Sequence, residues 1–274
     1  MKLTEENYYT QESDKEFLSY SQYKLFNGTP VNRGCEARAM AILNREYVLP
    51  ENEAMLVGRY VDAYFDGEEA FQFYKDTHPE IISSRGPSKG QLKSEYQMAN
   101  VMIDRATRDK MFMQYMAGEH QKIMVGEING VPFKIKIDSF DGRRITDLKT
   151  CESLTKTYYT LDGHRCSFVE AMGYDIQAAI YQEIVRQNTG EMLPYYIAAV
   201  SKDKNYGTPH PRIAVIEVEP TRMQEILEEV KQGVERIQDL KRGLFEPIPC
   251  KCCEWCADHI NLDSVIGVED LMLV

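Results

Sequence analysis

The stretch Asp138-Ser139-Phe140-Asp141-Gly142-Arg143-Arg144-Ile145-Thr146-Asp147-Leu148-Lys149-Thr150 decides how the rest of the chain is read. Asp141-Gly142 is a turn signal between two short strands. It predicts antiparallel pairing of the segment ending at Asp138 with the strand that contains Asp147. Side chains at i and i+2 share one face of a strand, so Asp147 and Lys149 project together. Two carboxylates and one ammonium can then meet at one spot. That grouping suits hydrolysis of a phosphodiester. Carboxylate oxygens hold Mg²⁺ or Mn²⁺, which prefer hard oxygen ligands. Such a metal neutralises phosphate charge and lowers the pKa of a bound water. A lysine can position the attacking water or stabilise developing negative charge. Alone, D-x-K is a very weak pattern, more often a surface hairpin with alternating charges than a catalytic group.

Working outward, KIMVGEI, Asn129-Gly130 and VPFKIKIDSF form a further hairpin signal. Phe133, Ile135 and Ile137 alternate there with Lys134, Lys136 and Asp138, so a three-stranded meander is expected over about 121–150. Downstream, Ser167 to Gly190 reads as one helix, capped by Ser167 and ended by Gly190. PYYIAAVSK and RIAVIEVEP are two more strands. Ile226, Val230, Val234, Ile237 and Leu240 mark one face of a long amphipathic helix. Upstream, Ser19 and Ser21 precede a helix start at QYKLF, and Cys35 to Tyr47 is rich in helix formers. Met55 to Phe65 places Leu56, Tyr60 and Tyr64 on one helical face. Residues 76–90 read as a loop, and Ser94 to Met116 as a helix or helix pair. The whole reads as one α/β domain over 1–274. It has a helical part at 1–120, the β-meander, helix and strands at 121–220, and a C-terminal helix with a Cys-rich tail at 221–274.

The 274 residues include 43 acids and 32 Lys or Arg, a net charge of −11. With 43% hydrophobic and 27% charged residues, the composition is that of an ordinary globular chain, not a disordered one. No apolar run approaches the roughly 18–20 residues of a membrane span. The polar start MKLTEENYYTQESDKEF carries no signal peptide, so a cytoplasmic location is expected. The acidic excess argues against indiscriminate binding of polyanions. It is compatible with DNA binding confined to one groove or pore, with acids such as Glu225, Glu228 and Glu229 on outer helix faces. Lys134, Lys136 and Lys149 are expected on the active face.

Asp138 and Asp147-Leu148-Lys149 resemble the D…(D/E)-x-K core of the PD-(D/E)XK nuclease superfamily. Gln177 and Tyr181, at i and i+4 of the following helix, resemble the Q-x-x-x-Y motif of its RecB-type branch. Gln177 is flanked by apolar Ile176, Ala178, Ala179 and Ile180, and a buried amide needs hydrogen-bond partners. Gly58-Arg59-Tyr60-Val61-Asp62 is similar to that branch's G-x-x-x-H motif, with Asp62 where histidine is usual. LSYSQYKLF resembles its S-x-S start. The motifs come in order on a helix, the meander and a helix. Over its length the chain resembles phage-associated nucleases related to the RecE exonuclease and, more distantly, to the phage lambda exonuclease.

The resemblance implies a PD-(D/E)XK restriction-endonuclease-like α/β core, with a central mixed β-sheet flanked by helices. It implies Mg²⁺-dependent (or Mn²⁺-dependent) 5′-to-3′ digestion of linear duplex DNA, a toroidal homo-oligomer, and often a single-strand annealing partner. By that resemblance Asp138 and Asp147 bind metal and the Leu148 carbonyl completes its shell. Lys149 is catalytic, Gln177 and Tyr181 position the centre, and Asp62 is a further ligand. Glu127 is a candidate extra acid. Two other readings stay open: an iron–sulfur single-strand nuclease, and a non-catalytic DNA-binding module on the same fold.

Seven cysteines in a long chain without a secretion signal make a poor disulfide set. Cys250, Cys252, Cys253 and Cys256 crowd into PCKCCEWC, whose spacing suits Zn²⁺ or an iron–sulfur cluster. Some RecB-type nucleases hold a 4Fe-4S cluster with one N-terminal and three C-terminal cysteines. That resemblance implies Cys35, Cys250, Cys253 and Cys256 here, although the last gap is narrower than the family's. Zinc, with His259 as a possible ligand, and reduced thiols without metal are the alternatives. Cys151 and Cys166 read as core or loop residues, and Trp255 as packing.

Overall fold

The protein is described from a computed structural model covering residues 1–259 together with Val265, Gly267 and Val268. The last part of the tail therefore lies outside the described residues. Short polar caps start the N-terminal helices. Thr10 accepts from the Ser13 N–H to open α1 (Gln11–Glu16), and Ser19 accepts from the Gln22 N–H to open α2 (Tyr20–Asn27). Two-residue strands β1 (Gly28–Thr29) and β2 (Asn32–Arg33) pair before α3 (Glu36–Leu43), whose N-cap is the Cys35 thiol. Asn52 caps α4 (Glu53–Phe65). The core face of α4 is Val57, Tyr60, Val61 and Phe65, while Tyr64 is exposed, so the expected Leu56–Tyr60–Tyr64 face is rotated. The loop expected over 76–90 is partly helical, since α5 (Glu68–Thr77) runs into it and a 3₁₀ turn spans Pro79–Ile81. A helix pair follows: α6 (Ser94–Thr107) and α7 (Lys110–Tyr115).

The hairpin β3 (Lys122–Ile128) and β4 (Val131–Ile137) closes through Asn129 and Gly130 at φ 50° and 73°, with Ile128 opposite Val131. β5 (Ser139–Phe140) pairs antiparallel with β6 (Ile145–Cys151) across the Asp141-Gly142 turn. The expected single meander is thus split into two sheets. The physical reason is Asp138. Its carboxylate, not a strand carbonyl, accepts the Leu148 N–H at 2.8 Å, and the main-chain ladder is interrupted there.

Next come β7 (Tyr158–Tyr159), β8 (Arg165–Cys166), α8 (Phe168–Ala171) and α9 (Tyr174–Thr189). A capping box between Ser167 and Glu170 starts α8. The helix expected from Ser167 to Gly190 is two helices, broken at Gly173 with φ 73°. A Cβ there would lie 3.0 Å from the Tyr20 hydroxyl and 3.2 Å from Thr29 Cγ2. Gly173→Ala is therefore expected to lower stability by about 1–2 kcal/mol, the usual cost of an L side chain in the left-handed region, read by urea unfolding.

Strand β9 (Tyr195–Ser201) runs parallel to β6, with Asp147 opposite Ile197. After the small hairpin of β10 (Lys204–Asn205) and β11 (Thr208–Pro209), β12 (Ile213–Glu217) pairs antiparallel with β9. The sheet order is β12-β9-β6-β5, a mixed sheet. Helices α10 (Pro220–Lys241) and α11 (Glu254–His259) complete the described chain. One sheet face buries Ile145, Tyr195, Ile197 and Ala199 in a core shared with Ile180 and Ile184 of α9 and Val230, Val234 and Ile237 of α10. Leu148 and Ala198 point the other way, into a core with Val57 and Val61 of α4 and Ala99 and Ile103 of α6. Each fully buried aliphatic side chain contributes roughly 1.5–3 kcal/mol, so β6 lies on a platform clamped from both sides. Among the described residues, no helix is long and apolar enough to cross a membrane.

Candidate active site

Alternation along β6 sends Leu148 toward α4 and α6 and turns Asp147 and Lys149 to the α9 face. Asp147 is buried, and its Oδ1 accepts a 2.8 Å hydrogen bond from Gln177 Nε2 on α9. Its Oδ2 forms an ion pair with Lys149 and has no well-aligned hydrogen-bond donor. Asp138 sits at the break between β4 and β5, with Oδ2 held by the Leu148 N–H. One turn beyond Gln177, the Tyr181 hydroxyl donates to the Lys136 carbonyl at 3.2 Å. Asp62, on α4, faces Asp138 from the opposite helical layer.

Burial pushes the Asp62 carboxyl well above the usual carboxylate range, and the Asp138 charge adds to the rise. Burial also raises Asp138, against the opposing pull of Lys149 and the Leu148 N–H. Asp147 is pushed up to about 7, first by burial, with Lys149 opposing and Asp138 reinforcing. Burial alone would lower the Lys149 ammonium, but Asp147 and Asp138 outweigh it and raise it, so it stays protonated at neutral pH. Three carboxylates and one ammonium leave an excess of two negative charges when ionised, the charge of one divalent cation. The donors are hard oxygens, and one of them is buried without a well-aligned donor. The set fits Mg²⁺ or Mn²⁺.

Comparison with known proteins bears on this geometry. Residues 19–259 match the PDDEXK-like domain of unknown function (DUF3799). The chain belongs to this PDDEXK-like family. A crystallised protein from Eubacterium rectale, provisionally described as an exonuclease, is 42% identical, with 99% of this chain and 98% of that one covered at a TM-score of 0.91. The crystal structure of SSO0001 covers 73% of this chain and 83% of its own at 15% identity and a TM-score of 0.31, too distant to support an argument. The comparison with curated proteins found no match.

The PDDEXK-like core does not gather every candidate. Glu127 is exposed on β3, where its backbone bonds Gln187 near the far end of α9. Gln187 is ten residues beyond Gln177, about 15 Å along the helix, so Glu127 is not part of the centre. Lys134 is not on the active face either. It is buried, and its ammonium donates to the Tyr8 carbonyl, Ser13 Oγ and Asp14 at 2.5, 2.7 and 2.8 Å. Lys136 lies over the Tyr9 ring at 4.8 Å. Its neighbour in the alternation is diverted because the segment before α1 covers this face of β4.

Sequence reasoning passed over four residues that border the centre. The Tyr174 ring lies 5.0 Å from Lys149 Nζ. Tyr20 donates to the Met172 carbonyl at 2.8 Å, next to the Gly173 break. Lys24 is lowered by burial and then by the Lys149 charge, which puts a second ammonium beside the first. Asp66, one turn after Asp62, accepts from Gln121 at 2.8 Å and adds its charge to Asp62 and Asp138. The available signal was spacing: Tyr20 and Lys24, like Asp62 and Asp66, stand at i and i+4.

A second cluster joins the two ends of the chain. The thiols of Cys35, Cys250, Cys253 and Cys256 all lie within 4.8 Å of one another. Cys252 is exposed, and His259 is not in the group: its Nδ1 lies 2.8 Å from the Trp255 carbonyl and its ring is stacked on Trp255. The four-thiol group lies on the N-terminus of α3 and is separate from the carboxylate centre.

Proposed function

We propose that this protein is a metal-dependent deoxyribonuclease that degrades linear DNA from its ends. The observation that carries the reading is the meeting of Asp62, Asp138, Asp147 and Lys149, from α4, the β4–β5 break and β6, at one point beside α9 where Asp147 is buried and the other three are half-buried. Asp62, Asp138, Asp147 and the Leu148 carbonyl would hold Mg²⁺ or Mn²⁺. Such an ion supplies neutralisation of phosphate charge and a water of lowered pKa. The chain's own residues do the rest. Gln177 fixes the orientation of Asp147, and the Leu148 N–H fixes that of Asp138. Tyr181 ties α9 to β4 through the Lys136 carbonyl. Lys149, protonated beside its carboxylates and backed by Tyr174, presents a fixed positive charge to the negative charge that grows on a phosphodiester under attack.

Duplex substrate and 5′-to-3′ polarity are the form of this reading that the RecE-like motif order favours. A toroidal homo-oligomer and a single-strand annealing partner would accompany it. The test uses linear duplex labelled at either the 5′ or the 3′ end, with closed circular duplex as control, in Mg²⁺ and in EDTA. Early release of the 5′ label with the circle intact is expected. Early loss of the 3′ label would overturn the polarity, and intact linear duplex and single strands in both Mg²⁺ and Mn²⁺ would overturn the function. Gln177→Ala is expected to reduce cleavage about 10–100-fold by freeing the Asp147 carboxylate, with part of the loss recovered at higher metal concentration.

A further inference from the structure

We propose that Cys35, Cys250, Cys253 and Cys256 hold a single Zn²⁺ ion in a closed four-thiolate site, and not a 4Fe-4S cluster. Four ligands at about 2.3 Å around a tetrahedral zinc stand about 3.8 Å apart. Cys35 and Cys256 Sγ are 3.6 Å apart, and Cys250 and Cys256 Sγ are 3.9 Å apart. No pair among the four exceeds 4.8 Å. In a four-iron cluster each thiolate binds a different iron, with sulfides between the irons. The thiolates are then spread by the width of the cluster as well as by their own bonds. The space enclosed here accommodates one ion.

The site is closed as structural zinc sites are. Cys35 and Cys256 are 2% and 1% exposed, and Cys250 and Cys253 are half-buried. All four are free thiols, so no disulfide competes. Cys252 comes within 3.6 Å of Cys250 but stands outside the group of four. The protein around the site is arranged to keep the tail docked. Arg38 of α3 pairs with Glu254 at 3.1 Å, and the Tyr47 and Trp255 rings stand 5.4 Å apart. The ion would close a loop of about 215 residues, where cross-links constrain an unfolded chain most. It would also anchor α3, which packs on α2, the helix that carries Tyr20 and Lys24 to the carboxylate centre.

The test is metal content of the full chain, purified without oxygen from cells supplied with iron and zinc, then dialysed against Mg²⁺ so that the carboxylates retain no zinc. About one zinc per chain is expected, with a colourless protein and no acid-labile sulfide. Cobalt exchanged into the site should give the visible absorption of tetrahedral cobalt thiolate. Cys253→Ser should lose the zinc and lower Tm by about 5 °C or more, whereas Cys252→Ser should change neither. Where Cys253→Ser does not fold, stripping the wild-type protein with a strong chelator gives the same reading through zinc loss and Tm. About four irons with matching sulfide, one iron without sulfide, or absence of any metal with a Tm indifferent to chelation would each overturn the proposal. These readings need no DNA, so they stand or fall separately from the nuclease function.

Discussion

Lys149→Ala is expected to slow DNA cleavage about 1,000-fold, the upper range for loss of one group that stabilises transition-state charge. The side chain is held on three sides, by Asp147, by Asp138 and by the Tyr174 ring, and is 17% exposed. Lys24 lies near it, but its ammonium stands over the Tyr20 ring at 5.1 Å. The same change has a second consequence for stability. Removing one partner of a buried pair costs about 3–5 kcal/mol when the other stays charged. Here protonation relieves part of that cost, because burial already brings the Asp147 carboxyl to about 7. The variant should therefore melt lower than the wild type in EDTA and recover most of the difference in Mg²⁺, where a cation takes the place of the ammonium. Cleavage kinetics on labelled duplex and paired thermal melts check both. Activity within about tenfold of wild type would rule out the role given to this lysine.

Asp62→Asn is expected to act in opposite directions with and without metal. In the metal-free protein Asp62 is an acid held among Asp138, Asp147 and Asp66, raised well above the usual carboxylate range by burial and then by the like charge of Asp138. Neutralising it should stabilise that state by about 1–2 kcal/mol, as replacement of poorly compensated buried charge commonly does. The same carboxylate is a proposed ligand, so metal binding should weaken. Wild-type protein at a metal concentration 100 times its Kd gains about 2.7 kcal/mol from binding. A variant binding 100-fold more weakly would gain only about 0.4 kcal/mol at that concentration. Melts across a Mg²⁺ titration should cross: variant above wild type in EDTA, below it at saturation. A uniform fall at every concentration would mean that Asp62 is a structural acid.

Local pattern made the central elements legible. Asn129-Gly130 and Asp141-Gly142 close turns where expected, β6 turns Asp147 and Lys149 to one face, and α10 buries the stripe from Ile226 to Leu240. Tertiary choices were less visible. Nothing in VPFKIKIDSF says that the Asp138 side chain replaces a strand carbonyl as acceptor and divides the sheet. The alternation that placed Lys134 on the active face could not show that the segment holding Tyr8 and Ser13 folds over it and buries its ammonium away from the centre. Gly173 reads as a residue inside a helix until Tyr20 and Thr29 are known to stand against it. The cysteine spacing allowed a cluster, a zinc site or free thiols, and only the separation of the sulfurs favours one of them.

The most direct measurement is the anomalous scattering of manganese in crystals of Lys149→Ala grown with Mn²⁺ and a short linear duplex. The variant should hold its DNA uncut. A manganese peak among the carboxylates of Asp62, Asp138 and Asp147 is expected, with a terminal phosphodiester of the duplex bound to it. Manganese absent from those carboxylates at saturating concentration, or DNA seated away from them, would contradict it.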